Sequence, residues 1–173
     1  MAHLINTTNL KKLSYISSNV DDSLLSTLIT RVQDTDLESI LGSNLFNRLL
    51  EGVDNDDLNA NETALLDNYI APCLVASVEV RAVEMTSLEL RQIGLSKVSS
   101  ENVSNASESE MNRAFNSLKK DYNFYRERLI RFLKLNHTLF PEYTTYYQTL
   151  YPCNDLDVIN PDKGGPDLNI NFA

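Results

Sequence analysis

Between Asn61 and Leu90, apolar side chains recur at steps of three and four residues. Leu66, Tyr69, Cys73, Ala76, Val80 and Val83 form one line, with Ile70, Leu74 and Val78 as a second line beside it. One such line marks the buried face of an α-helix. Two adjacent lines mark a helix contacted on more than one side, the centre of a bundle. Asn61 can cap its start, and Glu62 suits the positive end of the helix dipole. Pro72 falls inside the pattern. It lacks an amide proton and presses on the carbonyl of Asn68, which predicts a kink or a break into two shorter helices.

The other elements are arranged around this one. Residues 1–19 are expected to be irregular or briefly extended, with Leu4, Ile5, Leu10, Leu13, Tyr15 and Ile16 as docking points. Asp21 caps a first helix carrying Leu24, Leu25, Leu28, Ile29 and Val32. The polar run Gln33–Asp36 interrupts its stripe, which resumes at Leu37, Ile40 and Leu41. Gly42 follows as a left-handed helix terminator. Ser43 or Asn44 then caps a short helix with Leu45, Phe46, Leu49 and Leu50, closed by Gly52 and followed by an Asp- and Asn-rich loop over 53–60.

Beyond the central helix, residues 91–104 hold Ile93, Gly94, Leu95 and Val98 before a Ser/Asn-rich stretch, which predicts an extended insertion or a weak hairpin. Ser107 and Glu110 form a capping box. The helix they open carries a four-three seam of Met111, Phe115, Leu118, Tyr122, Tyr125, Leu129 and Phe132, a coiled-coil-like edge that should end near Leu135–Asn136. Pro141 starts a last short helix with Tyr143, Tyr146, Tyr147 and Leu150. The expected fold is mainly α, a bundle of three to five helices with one extended insertion (about 91–104) and an extended C-terminal arm. A helical domain spans 1–152 and the arm or tail spans 153–173. The tail is poor in apolar residues but ends in spaced Leu168, Ile170 and Phe172. It reads either as disordered or as an arm docking those three side chains on another chain.

Composition narrows the function classes. Apolar residues are 42% and charged residues 23% of 173, as in soluble single-domain proteins. A net charge of −9 argues against nucleic-acid binding by general basicity. No apolar run has the length of a membrane span, so no membrane partner is expected. The start MAHLINTTNLKK lacks the apolar core of a signal peptide, and the expectation is an intracellular chain. Cys73 and Cys153 make no disulfide framework, and Cys73, on the buried stripe, should behave as a small hydrophobe.

Candidate chemistry is sparse. Counting a calcium loop from Asp54 puts Asn59 where a glycine is needed and Leu65 where a bidentate glutamate is needed. His3 and His137 have no ligand at zinc spacing; His137 belongs near terminal carbonyls of a helix or in solvent. Gly164-Gly165 leads into Pro166 rather than a helix, so no phosphate loop is present, and no nucleophile elbow or triad is legible. No catalytic residue, metal or cofactor is assigned. The charge map says more. Arg113, Lys119, Lys120, Arg126, Arg128, Arg131 and Lys134 place seven of the fifteen Lys and Arg on one helix, away from its seam. They form either a solvated outer face or a basic surface facing an acidic neighbour subunit, a partner protein or passing DNA. Tyr143, Tyr146, Tyr147 and Tyr151 read equally as a contact patch or as core packing.

The order of these features resembles the head–tail connector proteins of tailed bacteriophages, and is similar above all to the ring or adaptor proteins of crAss-like phages. The residues that carry the resemblance are Ile29-x-x-Val32-Gln33, Leu37, Leu41-Gly42, Leu45-Phe46 and Leu49. They continue with Leu65-Leu66, Ile70-x-Pro72-x-Leu74, Ile93-Gly94-Leu95, Tyr122, Tyr125, Arg128-Leu129, Leu133, Asn136 and Phe140-Pro141-Glu142-Tyr143, across about residues 5–150. The resemblance implies a non-enzymatic α-helical adaptor of the virion neck, made in the host cytoplasm. It implies a ring of identical subunits, usually twelve-fold, whose partners are the portal protein, the next neck or tail ring proteins and the genomic DNA in the lumen. An alternative reading is a regulatory or protein-binding helical module that acts through the coiled-coil-like seam.

Overall fold

A computed structural model describes residues 3–92 and 108–150. In chain order the helices are α1 (Thr7–Leu13), α2 (Asp22–Val32), α3 (Glu38–Leu41), α4 (Ser43–Asn55), α5 (Ala60–Leu65), α6 (Ala71–Gln92), α7 (Glu108–Leu135) and α8 (Pro141–Leu150). One-turn π-helices, Gln33–Leu37 and Leu66–Ile70, join α2 to α3 and α5 to α6, and a short 3-10 turn (His137–Leu139) precedes α8. Among the described residues the architecture is therefore mainly α, six helical rods and no strand. Three to five rods were expected.

The additional rod is α1, in a stretch expected to be irregular. Asn6 caps it, its side-chain oxygen accepting from Asn9 N–H at 2.7 Å. Seven residues are too few to hold a helix in water alone. Packing supplies the rest, since Leu10 is fully buried and Leu4 and Ile5 nearly so. This N-terminal segment straps across α2 and α6. Leu4 N–H donates to Gln33 Oε1 at 2.7 Å and Tyr15 N–H donates to Glu79 at 2.6 Å.

The predicted central helix is the core. Cys73, Leu74, Val75, Ala76, Ser77, Val78, Glu79 and Val80 are buried without interruption, as two adjacent apolar lines require. Its cap differs from expectation. Asn59, not Asn61, is the N-cap, in a capping box with Glu62, whose carboxylate returns to the Asn59 amide at 2.8 Å. Pro72 neither breaks nor ends the rod. The π-turn Leu66–Ile70 ends two residues before it, with Ala71 N–H bonded back to the Leu66 carbonyl. A widened turn shifts the hydrogen-bond ladder where an α-turn would ask proline for the amide it lacks. The polar run Gln33–Asp36, expected to interrupt the stripe of the first helix, lies in a π-turn (Gln33–Leu37) that keeps α2 and α3 in one continuous rod, and the stripe resumes at buried Leu37, Ile40 and Leu41.

Three boundaries move. Gly42 has positive φ (74°) with ψ at 150°, and serves as the N-cap of α4, so neither Ser43 nor Asn44 caps it. Gly52 lies inside α4, which runs to Asn55 and closes on Asp56 in the left-handed region (φ 54°, ψ 42°). The helix α6 continues through Gln92, so residues 91 and 92 of the expected insertion are helical; residues 93–107, with Ser107 of the predicted cap, lie outside the described residues, as does the tail from 151 with Cys153, Leu168, Ile170 and Phe172. The predicted start of α8 at Pro141 and the end of α7 at Leu135 are as expected.

The tyrosines of α8 are core. Tyr143 and Tyr147 are buried, their ring centroids 6.3 Å apart, and the Tyr146 hydroxyl donates to the Ser39 carbonyl at 2.7 Å. Tyr151 lies outside the described residues. The α8 helix docks on α4 through the bend at Gly42, where a Cβ would stand 2.4 Å from Tyr146 Cγ. Gly42→Ala therefore meets a positive φ and a ring at once. Urea denaturation should show a loss of about 2–4 kcal/mol; a loss under about 0.5 kcal/mol would contradict this packing.

Candidate interaction surface

The longest element, α7, has two faces. Its inner face packs antiparallel on α6. Tyr69 stacks on Phe132 with centroids 3.9 Å apart, while Glu79, further along the rod, feels Asp121, nearer the start of α7. Leu129 and Leu133 are fully buried, and Phe115, Leu118, Tyr122, Tyr125 and Phe132 are half-buried. The predicted seam is thus real, with its buried end at Leu133 rather than Phe132; the Met111 side chain lies outside the described residues. On the α6 side, Ala82 and Met85 are half-buried and pack against the core, as do Tyr122 and Tyr125 of the seam.

The seven cations divide. Arg128 lies over the Tyr69 ring (4.9 Å) and Lys119 over Phe115 (5.2 Å), so both shield the flanks of the seam as cation–π partners. Arg126 stands near Cys73 and Tyr122, favouring their ionised forms against burial. Lys134 is half-buried at the helix end. Arg113, Lys120 and Arg131 remain. They are spaced by seven and eleven residues, two and three helical turns, and so share one line. Leu129 and Leu133 face the other way.

Phe124 falls on the same line, 62% exposed, and Leu135 follows at 61%. Sequence reasoning passed over both. Their signal was their position, since Phe124 stands off the four-three seam among cations. The ion pairs among the described residues are Lys11–Asp22, Arg48–Asp57, Arg48–Glu62, Arg81–Asp36 and Arg81–Glu84, so none neutralises Arg113, Lys120 or Arg131.

An opposite patch lies at the α4–α5 turn. From Leu49 to Val80 the chain has no Lys or Arg. Arg48 folds onto this turn, reaching Asp57 at 2.8 Å and buried Glu62 at 2.9 Å, and the Asp57 hydrogen bond raises the guanidinium pKa further. Glu51, Asp54 and Asp56 stay exposed, with no cation among these ion pairs. No group of three His, Cys, Asp or Glu among the described residues could hold a metal. His137 Nδ1 sits 3.0 Å from the Lys134 carbonyl at the end of α7, and His3 Nε2 is 3.0 Å from Thr30 Oγ1.

Polar groups beneath α7 are tied down. Ser77 donates to Asp36, which also holds Thr35 Oγ1 at 3.0 Å and Arg81 at 3.5 Å. Burial, with Asp36 adding to it, pushes the Cys73 thiol up to about 12, so it stays a neutral thiol. Burial and Asp36 raise Tyr122 as well. A shallow, open depression of about 410 Å³ is lined by Thr27, Thr30, Arg31, Asp34 and Thr35. No helix among the described residues is long and apolar enough to cross a membrane.

The profile of a family of unknown function, DUF6712, matches residues 37–150. The chain belongs to that family. No curated protein and no solved structure matches it. The DUF6712 stretch starts inside the first π-turn and contains both the α7 line and the acidic turn, while α1 and α2 precede it.

Electrostatics make the strap testable. Burial holds the Glu79 carboxyl above its ordinary 4.5, with the Tyr15 amide pulling it down and Asp121 pushing it up. The fold therefore prefers the protonated form. This group's contribution to stability is fully present at low pH and declines as pH rises from about 4.5 through the raised value. Glu79→Gln keeps an acceptor for Tyr15 without titrating. In denaturation at matched pH, the variant should gain on the parent as pH rises towards neutrality; a constant gap would contradict the buried-carboxyl account.

Proposed function

We propose that the chain is a non-enzymatic structural protein of a tailed-phage virion. In this reading it is a ring-forming head–tail connector or adaptor that docks beneath the portal, around the DNA exit channel. The observation that carries the reading is the outward line of α7. On a helical bundle whose α8 tyrosines and α7 seam are already packed, Arg113, Lys120 and Arg131 remain exposed and unneutralised among the described ion pairs, with Phe124 exposed on the same line. A cation line interrupted by an aromatic suits a protein surface. The resemblance to phage connectors runs over the same helices, from about residue 5 to 150.

The acidic remainder of the chain fits a channel through which DNA slides without being held, since a wall of like charge repels phosphates. A ring of copies also needs unlike faces on each subunit, one against the next. The alternative module acting through its coiled-coil-like edge has less support, because that edge is spent on α6 within the chain.

The test is co-sedimentation of the full chain with the portal protein of the same genome. The reading expects a complex of ring-like stoichiometry, several copies of this chain per portal assembly. A chain that stays separate from the portal at every concentration would overturn it.

A further inference from the structure

We infer that the outer line of α7 seats against the acidic α4–α5 turn of a second copy of this chain. The inference rests on the ring reading and names its interface. One side is Arg113, Lys120 and Arg131, a line about 27 Å long at 1.5 Å per residue, with Phe124 within it and Leu135 beyond. The other side is Glu51, Asp54 and Asp56, exposed in a stretch from Leu49 to Val80 that has no Lys or Arg.

Both patches are left over by the fold. The outer line is turned away from buried Leu129 and Leu133, and no ion pair among the described residues joins it to the acidic turn. The acidic turn is also built stiffly. Arg48 ties Asp57 and Glu62 into it, Asn59 and Glu62 cap α5, and Asp57 N–H closes on the Gly52 carbonyl at 3.0 Å. Little ordering is then lost when a partner binds. Glu51 and Asp54, three residues apart on α4, are side by side on its surface.

A second copy fits better than DNA. Glu127 stands within the cation line, the whole chain carries −9, and Phe124 and Leu135 offer apolar area that a phosphate backbone does not use. The two patches differ, so each copy offers one of each, and copies add head to tail as a ring demands, not as a closed two-fold pair.

The test uses two full-length variants, Lys120→Glu/Arg131→Glu and Glu51→Lys/Asp54→Lys. Every altered side chain is exposed, so circular dichroism should match the parent. In sedimentation velocity at about 50 mM salt, where charges reach furthest, the parent should self-associate and come apart at about 500 mM. Each variant alone should associate about tenfold more weakly or worse, since like charges then face each other. An equimolar mixture of the two should recover association, because each variant's altered patch then meets an opposite charge on the other.

Variants that associate as well as the parent would overturn this interface while leaving the ring reading standing. A parent that stays monomeric at both salt concentrations would also overturn the interface, and the ring reading would then rest on the portal experiment alone. A parent that binds a plain double-stranded DNA fragment through Lys120 and Arg131, without associating with itself, would overturn it in favour of a nucleic-acid surface.

Discussion

A helix enclosed on every side can bring its apolar residues in freely, but each polar group it carries must be met by another element. The run from Cys73 to Val80 imposes that condition on the whole chain. Ser77 is answered by Asp36 from the first π-turn, and Glu79 by the Tyr15 amide from the strap. Losing either partner would leave a buried donor or acceptor unmet, at a cost of about 1–3 kcal/mol each. The short helix α1, unstable by itself, and the widened turn at Gln33–Leu37 are therefore parts of the same core as α6. The aromatic cluster of α8 closes the bundle at the Gly42 bend, where the lack of a side chain lets Tyr146 approach the backbone.

Periodicity carried most of this architecture. The double line of α6, the seam of α7 and the Pro141 start of α8 were legible because burial repeats at helical spacing, and α6 supplies the centre on which the rest of the core packs. What pattern could not give was local. An Asp- and Asn-rich run offers several caps of equal chemistry, and Asn59 is set apart from Asn61 by having Glu62 three residues on, where the two close a capping box. Pro72 signals trouble in a helix without saying whether a break or a widened turn resolves it. Residues 7–13 fall below the length at which spacing alone is informative, and only the docking of Leu10 makes them a helix.

For the candidate surface, sequence located the cations but could not sort them. Seven on one helix read as one basic face. Three-dimensional neighbours divide them, because Arg128 and Lys119 find aromatic rings while Arg113, Lys120 and Arg131 do not. The same helix thereby has two faces: its inner face completes the core with α6, and its outer face keeps Arg113, Lys120, Phe124 and Arg131 exposed. Family membership over residues 37–150 encloses both the outer face and the acidic turn, so both belong to the part of the chain that the family shares.

Electron microscopy of the full-length protein at high concentration and low salt tests the central claim most directly. The account predicts particles with rotational symmetry and a central opening in end-on views, wide enough for double-stranded DNA. Uniform small particles without an opening, alone and in the presence of the portal, would contradict it.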